Sequence, residues 1–296
     1  MRHFTITLAS LLLVSCGEGS EATPPPATGA PAPAPAPTPA PTPTPTPPPS
    51  GGTADWYRPK AGLDWHWQLT GSLDTSLPVA VYDIDLYETP KPTIEALQAR
   101  GVKVICYFSA GSRENYRSDA SDFASADIGK TMDGWPDEQW VDIRSNAVRA
   151  IMSKRLNLAA QKGCDGVEPD NVDAYANDSG FALTGADQLS YNRFLAAEAH
   201  ARGLAVGLKN DLDQVAELVD EFDFAVNEQC TEYDECRVLA PFIAQDKPVF
   251  HAEYDRRFRT DATAFADMCA ASKELGFSTL VLPLSLDGSF RKPCPE

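Results

Sequence analysis

Residues 55–296 predict an α/β domain, a closed (β/α)8 barrel with one extra strand near its N-terminus. Three observations carry this expectation. Apolar β-rich runs alternate with amphipathic helical stretches along the whole segment. A glycine closes several helical stretches at the left-handed C′ position, just before the next apolar run. The runs are almost continuously apolar, as strands of a parallel sheet covered on both faces are. An open dinucleotide-binding sheet would carry G-x-G-x-x-G after its first strand, and the sequence has none.

In chain order, WHWQL from Trp65 is the first strand candidate and VAVYDID from Val79 the second. A helix over Thr93–Arg100 leads through Gly101 to VKVICYF, and WVDI from Trp140 follows. The helix over Ser145–Lys162 places Val148, Ile151, Met152, Leu156 and Ala159 on one face at spacings of three and four. It leads through Gly163 to CDGVEP. Asp187–Arg202 leads through Gly203 to LAVGL, and DFAVNE and KPVFHAEY are further strands. Asp261–Leu275 leads through Gly276 to FSTLVLPL. That makes about nine candidates where a barrel of this kind uses eight. The expected surplus is WHWQL, as an addition at the mouth or edge.

The N-terminus reads as an address. Arg2 and His3 precede an apolar run, Phe4–Val14, too short to span a bilayer and placed where a secretory signal has its apolar core. Leu13-Val14-Ser15-Cys16 resembles the bacterial lipobox, which implies removal of residues 1–15 and lipidation of Cys16. From Pro24 to Pro49, 14 of 26 residues are proline and none is Leu, Ile, Val or aromatic. That composition cannot offset its ordering entropy by burial, so residues 16–54 read as a disordered linker. As polyproline it reaches roughly 80 Å. The expectation is an exported domain, lipid-anchored to the cell envelope at the outer membrane or cell surface, and monomeric.

Lys and Arg total 25 against 42 Asp and Glu, a net charge of −17. Nucleic acid and anionic lipid attract clustered basic residues, so this chain is expected to bind neither through its charge. Beyond Cys16 there are six cysteines, an even number that suggests disulfides in an exported chain. Cys230 and Cys236 are near enough to close a small loop, and Cys294 is suited to pin the tail to the helix carrying Cys269. Fifteen pairings remain open. No C-x2-C or H-x3-H spacing occurs, and no G-x-S-x-G, so neither a metal, another cofactor nor acyl transfer is expected.

Barrel chemistry sits at the carboxyl ends of strands. Those ends carry Asp83 and Asp85, then Tyr107, Ser109 and Gly111, then Glu168, Asp170, Asn171 and Asp173, then Lys209, Asn210 and Asp211, then Asn227, Glu228 and Gln229, then Glu253, Tyr254 and Asp255. Paired carboxylates are what glycosidic cleavage needs, one to protonate the leaving oxygen and one to attack or activate water. Trp67, Tyr107 and Tyr254 offer flat faces for sugar rings. Asp83 and Asp85 have a second reading, as helix caps or partners of a core arginine.

The stretches WHWQLTG, YDIDLY, VICYFSAGS, GCDGVEPDNVDAY, GLAVGLKN, FDFAVNEQCTEYDEC and KPVFHAEY resemble glycoside hydrolase family 114, the endo-α-1,4-polygalactosaminidases. The resemblance spans nearly all of the chain from Asp55. It implies a TIM-type barrel and hydrolysis of α-1,4-linked galactosamine or N-acetylgalactosamine polymers. Its catalytic pair falls on Asp170 in EPDN, as nucleophile, and Glu228 in NEQC, as general acid/base, with retention of configuration. Trp67, Asp83, Asp85, Tyr107, Glu168, Asn171, Lys209, Asn227, Glu253 and Tyr254 are then the substrate-binding set. Glu168 has a second reading, holding Asn171 or Lys209 in place. Asp83, Asp85 and Glu253 are expected to hold ammonium groups of a cationic polymer. The alternatives are a non-catalytic carbohydrate-binding lipoprotein, or a barrel glycosidase on another α-linked polysaccharide.

Overall fold

A computed structural model of the chain describes residues 55–295. The expected signal segment, Cys16 and the Pro-rich linker lie outside them. The strands are β1 (Trp65–Gln68), β2 (Val81–Asp85), β3 (Lys103–Ser109), β4 (Ser112–Glu114), β5 (Ile128–Met132), β6 (Trp135–Val141), β7 (Gly166–Asp170), β8 (Ala205–Lys209), β9 (Phe224–Glu228), β10 (Val249–Glu253), β11 (Ser278–Val281) and β12 (Lys292–Pro293). The helices are α1 (Lys91–Gln98), α2 (Asn146–Lys162), α3 (Gly185–His200), α4 (Val215–Leu218), α5 (Cys230–Tyr233), α6 (Ala240–Ala244), α7 (Arg257–Thr260) and α8 (Ala262–Leu275).

Eight strands, β1-β2-β3-β7-β8-β9-β10-β11, run parallel in unbroken chain order. An open doubly wound sheet would reverse its order at a switch point, and this one never does. The structure is a TIM-type barrel with extra strands. Side chains bridge the seam between its first and last strands: Trp65 Nε1 donates to the Ser278 carbonyl at 2.9 Å, and Ser278 Oγ to the Leu63 carbonyl at 2.6 Å.

The surplus strand is not where the sequence suggested. WHWQL is β1 itself, paired with β2 from Trp65 to Gln68. WVDI is the outsider: Trp140 and Val141 close β6, the middle of a three-stranded antiparallel sheet β4-β6-β5 inserted between β3 and α2. Both misplacements have one cause, since a short run of aromatic and β-branched residues reads alike in a barrel wall and in a hairpin. No helix separates β1 from β2, and antiparallel β12 on β11 stands where an eighth helix would lie.

The helices begin and end as their sequences demand. Ser145 caps α2 by accepting from the Ala147 N–H, Thr184 and Asp187 form a reciprocal capping box on α3, and Asp261 caps α8. The six cysteines form three disulfides, Cys106–Cys164, Cys230–Cys236 and Cys269–Cys294. Such bridges fit an exported chain, because a reducing cytosol would not keep them. No helix among the described residues is long and apolar enough to cross a membrane.

Inside the barrel, alternate residues of each strand meet. Trp65, Val81, Ile105, Ala205, Phe224, Phe250 and Leu280 pack together in its lower half. The opposite parity faces the helices, where Tyr82, Ile84, Val104, Cys106, Val167, Val206 and Leu208 join the outer core. Which parity points inward decides the fate of every polar residue near a strand end.

Candidate active site

At the carboxyl ends of the strands lies a cleft of about 610 Å³. Its floor is made by Asp170 ending β7, Lys209 ending β8 and Glu228 ending β9, three adjacent strands with inward parity. The Lys209 ammonium sits 2.9 Å from Asp170 Oδ1, 3.2 Å from Glu228 Oε2 and 3.4 Å from Glu168 Oε1. Burial alone would pull this lysine down, but the Asp170, Glu228 and Glu168 carboxylates push it well above the ordinary value. It is a fixed cation between two carboxylates that open to the cleft.

Each acid is held by further donors. Tyr107 donates its hydroxyl to Asp170 Oδ2 at 2.9 Å, and the Asn171 N–H donates to Asp170 Oδ1 at 2.7 Å. Asn210 Nδ2 donates to Glu228 Oε2 at 3.2 Å, and the Tyr254 hydroxyl donates to Glu228 Oε1. Burial, with the Glu228 charge beside it, pushes the Tyr254 phenol well above its ordinary value, so it stays a donor.

The backbone turns sharply just past each of these three residues. Asn171, Asn210 and Gln229 have φ of 61°, 48° and 62°, in the left-handed region. Asn accepts that conformation readily and Gln does not, so strain is stored beside Glu228. The turns are pinned from behind by the helices. Tyr191 of α3 donates to the Ala110 carbonyl at 2.6 Å, and Asn192 donates to the Val172 carbonyl and to Asp211 Oδ2. The chain after β3 passes so close that a Cβ on Gly111 would fall 1.7 Å from the Asn171 carbonyl oxygen.

Seven of the expected residues line the cleft: Asp170, Glu228, Trp67, Asp85, Tyr107, Asn171 and Lys209. Trp67 stacks under the lysine, whose Nζ lies 5.0 Å from the ring centroid. Tyr254 stands behind Glu228. Asp85 is occupied, joined to Arg117 through both its oxygens and accepting the Tyr87 and Glu88 N–H groups at 2.8 Å. It therefore holds no ammonium of a ligand.

Three other expectations are corrected. Glu253 has outward parity and is fully buried, accepting from the Thr231 N–H at 2.8 Å and lying 3.0 Å from His251 Nε2. It stabilises the start of α5 and cannot touch substrate. Asn227 also points outward, where its Nδ2 donates to Asn210 Oδ1 at 3.2 Å. Asp83 points inward but lies two residues below the strand end, sealed with Glu168. The two carboxyls lie together with no other hydrogen-bond partner among the described residues, so burial favours a proton shared between them. Burial raises both, Glu168 well above its ordinary value. Glu168 touches Lys209 and not Asn171, whose Nδ2 donates to Ser109 Oγ at 2.8 Å.

The cleft also contains residues that strand-end reasoning missed. The inserted sheet contributes Lys130, Thr131, Met132, Asp133, Trp135, Glu138 and Trp140, and the β7–α3 loop adds Asn177 and Asp178 beyond the strand-end Asp173. Eight carboxylates line it against Arg117, Lys130 and Lys209. Burial, reinforced by the Asp170 charge, pushes Asp173 up to about 6, and burial pushes Glu138 up to about 7. Cys230, Cys236 and His251 bring ligand-type atoms within 4.8 Å of one another, but the two sulfurs are joined in a disulfide.

A barrel with two open carboxylates flanking one cleft, each supplied with hydrogen-bond donors, belongs to the glycosidase class. The family model for glycoside-hydrolase family GH114 matches residues 46–294, and the chain belongs to that family. It is a glycosidase. Among solved structures, Aspergillus fumigatus Ega3 in complex with galactosamine is 43% identical, with a TM-score of 0.78 over 82% of this chain and 99% of that one. The glycoside hydrolase domain of PelA from Pseudomonas aeruginosa shares the fold at 16% identity, with a TM-score of 0.61 over 76% of this chain and 96% of that one. No curated protein matches the chain.

Proposed function

We propose that this chain is an exported, lipid-anchored glycoside hydrolase that cleaves α-1,4-linked galactosamine polymers with retention, using Asp170 as nucleophile and Glu228 as general acid/base. The observation that carries the reading is the Lys209 ammonium held between the two acids. The oxygens that share it lie within about 6 Å of each other, which suits the carboxyl spacing of about 5–5.5 Å in a retaining pair better than the wider inverting one.

In the first half-reaction Glu228 gives its proton to the leaving oxygen while Asp170 attacks the anomeric carbon. The glycosidic bond breaks and a glycosyl ester forms. The negative charge that leaves Asp170 reappears on Glu228, and Lys209 is within reach of both. Water then gives a proton to Glu228 and attacks the ester, which returns the charge to Asp170. A stationary cation thus serves one charge that alternates between two sites, with little reorganisation. Tyr107 and Asn171 hold Asp170 oriented for attack.

The substrate follows from charge. A galactosamine polymer with free amines is cationic, and the cleft is rich in carboxylates. Among the described residues Asp173 and Glu138 have no cationic partner within salt-bridge distance, and they take the role expected of Asp83 and Glu253. The Ega3 complex with galactosamine supports the same sugar.

The test is release of reducing ends from α-1,4-galactosamine polymer by the full chain. Asp170→Asn and Glu228→Gln should each lower kcat by about 10³-fold or more while polymer binding persists. Nuclear magnetic resonance of the first product should show the α-anomer. Near-full activity in either variant, or a β product, sinks the corresponding assignment.

A further inference from the structure

Among the described residues five large hydrophobic side chains are exposed, and three of them, Tyr116, Trp135 and Leu284, line the catalytic cleft. A folded chain does not gather its exposed apolar surface at one place without a partner there. Trp135 opens β6, directly after the Asp133-Gly134 turn, on the inserted sheet that belongs to no barrel wall. It is 48% exposed, whereas Trp140 farther along the same strand is 6% exposed and serves the packing. Tyr116 is 61% exposed, yet its ring is not free to swing. Its hydroxyl donates to Glu114 Oε1 at 2.8 Å and the Arg117 guanidinium lies 5.1 Å from its centroid. The aromatic plane is held in place with one side open, at an entropic cost already met in the free protein.

We propose that Trp135 and Tyr116 form a distal sugar-binding platform of the cleft. It takes galactosamine rings of the same polymer that lie away from the bond being cut. This rests on the substrate reading above. The chemistry of the occupant fits twice. A galacto-configured ring presents a patch of C–H groups at C3, C4 and C5 on the face opposite its axial O4, suited to stacking on a flat aromatic surface. Its protonated 2-amine is a cation, which an indole or phenol face attracts and which Asp133, close to Trp135 in the chain and lining the same cleft, neutralises. The residues that bond-breaking uses stand on β7, β8 and β9, so the platform adds affinity for long chains without touching the chemistry. The inserted sheet then has a function that the barrel alone does not supply.

The experiment compares the full-length protein with its Trp135→Ala and Tyr116→Ala variants on α-1,4-galactosamine polymer and on a galactosamine trisaccharide. The platform predicts that kcat/KM on polymer falls about ten-fold in Trp135→Ala, with KM carrying the change and trisaccharide turnover unaltered. Trp135→Phe should recover most of the loss, since it keeps a stacking face. Polymer affinity in a Glu228→Gln background should fall by the same factor, which separates binding from chemistry. Unchanged polymer kinetics in both alanine variants overturn the platform and leave the glycosidase reading standing. Equal losses on polymer and trisaccharide also overturn it, by placing Trp135 at the reacting centre or in the fold. Failure of the unaltered protein to cleave or bind galactosamine polymer removes the underlying substrate reading instead.

Discussion

Asp170 and Glu228 at the mouth of the barrel can be set against Asp83 and Glu168 one layer below. Both pairs are carboxyls on inward-facing strand positions, and Lys209 touches members of both. The upper pair opens to the cleft and accepts from Tyr107, Asn171, Asn210 and Tyr254 besides the lysine. The lower pair is sealed, and among the described residues no side-chain donor other than the lysine approaches it. The upper pair is positioned by donors at the cleft, whereas burial without such donors raises the lower pair and leaves it a proton to share. Two residues along a strand separate the proposed nucleophile from a buried support.

Removing the cation common to both layers should have the largest effect. In Lys209→Met three carboxyls are left facing one another without their cation, which favours a proton on Asp170 as well as on the general acid. The expected loss in kcat is about 10²–10³-fold, and the acid limb of kcat/KM should move to higher pH because ionised Asp170 becomes scarcer. A pH–rate profile measures both. An unshifted acid limb would mean that the lysine does not govern the charge of this pair.

A smaller effect is expected one layer down. Burial, opposed by the Glu168 hydrogen bond and the Lys209 charge, pushes Asp83 up to about 7. Over the window from about pH 4, where the unfolded acid ionises, up to that value, the folded chain holds a proton that the unfolded chain has lost. Stability therefore falls as pH rises through the window. In Asp83→Asn the amide donates to Glu168 at every pH, so the thermal midpoint should fall less between pH 4.5 and 7.5 than in the unaltered chain. Activity should stay within about ten-fold, since the side chain at this position touches no substrate. A pH dependence identical to that of the unaltered chain would show that the proton is not held there.

How far the sequence reveals these differences depends on parity. Nearly all barrel strands and the long helices are legible, because apolar runs, caps and closing glycines are local signals. Asp170, Glu228 and Lys209 are legible too, through the EPDN, VGLKN and NEQC stretches. The face a strand residue takes is not, because strands buried on both sides lose the alternation that would mark it. Glu228 and Glu253 both end apolar runs, yet the β9–β10 register pairs Glu228 with Ala252, which turns Glu253 to the outside. Trp135 escapes for another reason. Its strand, WPDEQWV, is polar at the end that reaches the cleft, and only its last residues look like a strand.

The gentlest probe of the contrast is salt. The upper layer and its surrounding carboxylates meet solvent, so attraction of a cationic polymer should be screened over a Debye length of about 10 Å at 0.1 M ionic strength. The lower layer is sealed from ions. Raising sodium chloride from about 0.05 to about 0.5 M should lower kcat/KM on a largely deacetylated galactosamine polymer by about three- to ten-fold, mainly through KM. Fully acetylated polymer, which carries no amine charge, should be a poorer substrate at low salt and show little change with salt. The fall in thermal midpoint between pH 4.5 and 7.5 should persist at both ionic strengths, because the proton between Asp83 and Glu168 is shielded by the protein. Equal salt dependence on both polymers would remove charge as the basis of substrate choice while leaving the catalytic pair in place. Loss of the pH-dependent midpoint at high salt would place the titrating groups in contact with solvent, contrary to the sealed layer beneath Lys209.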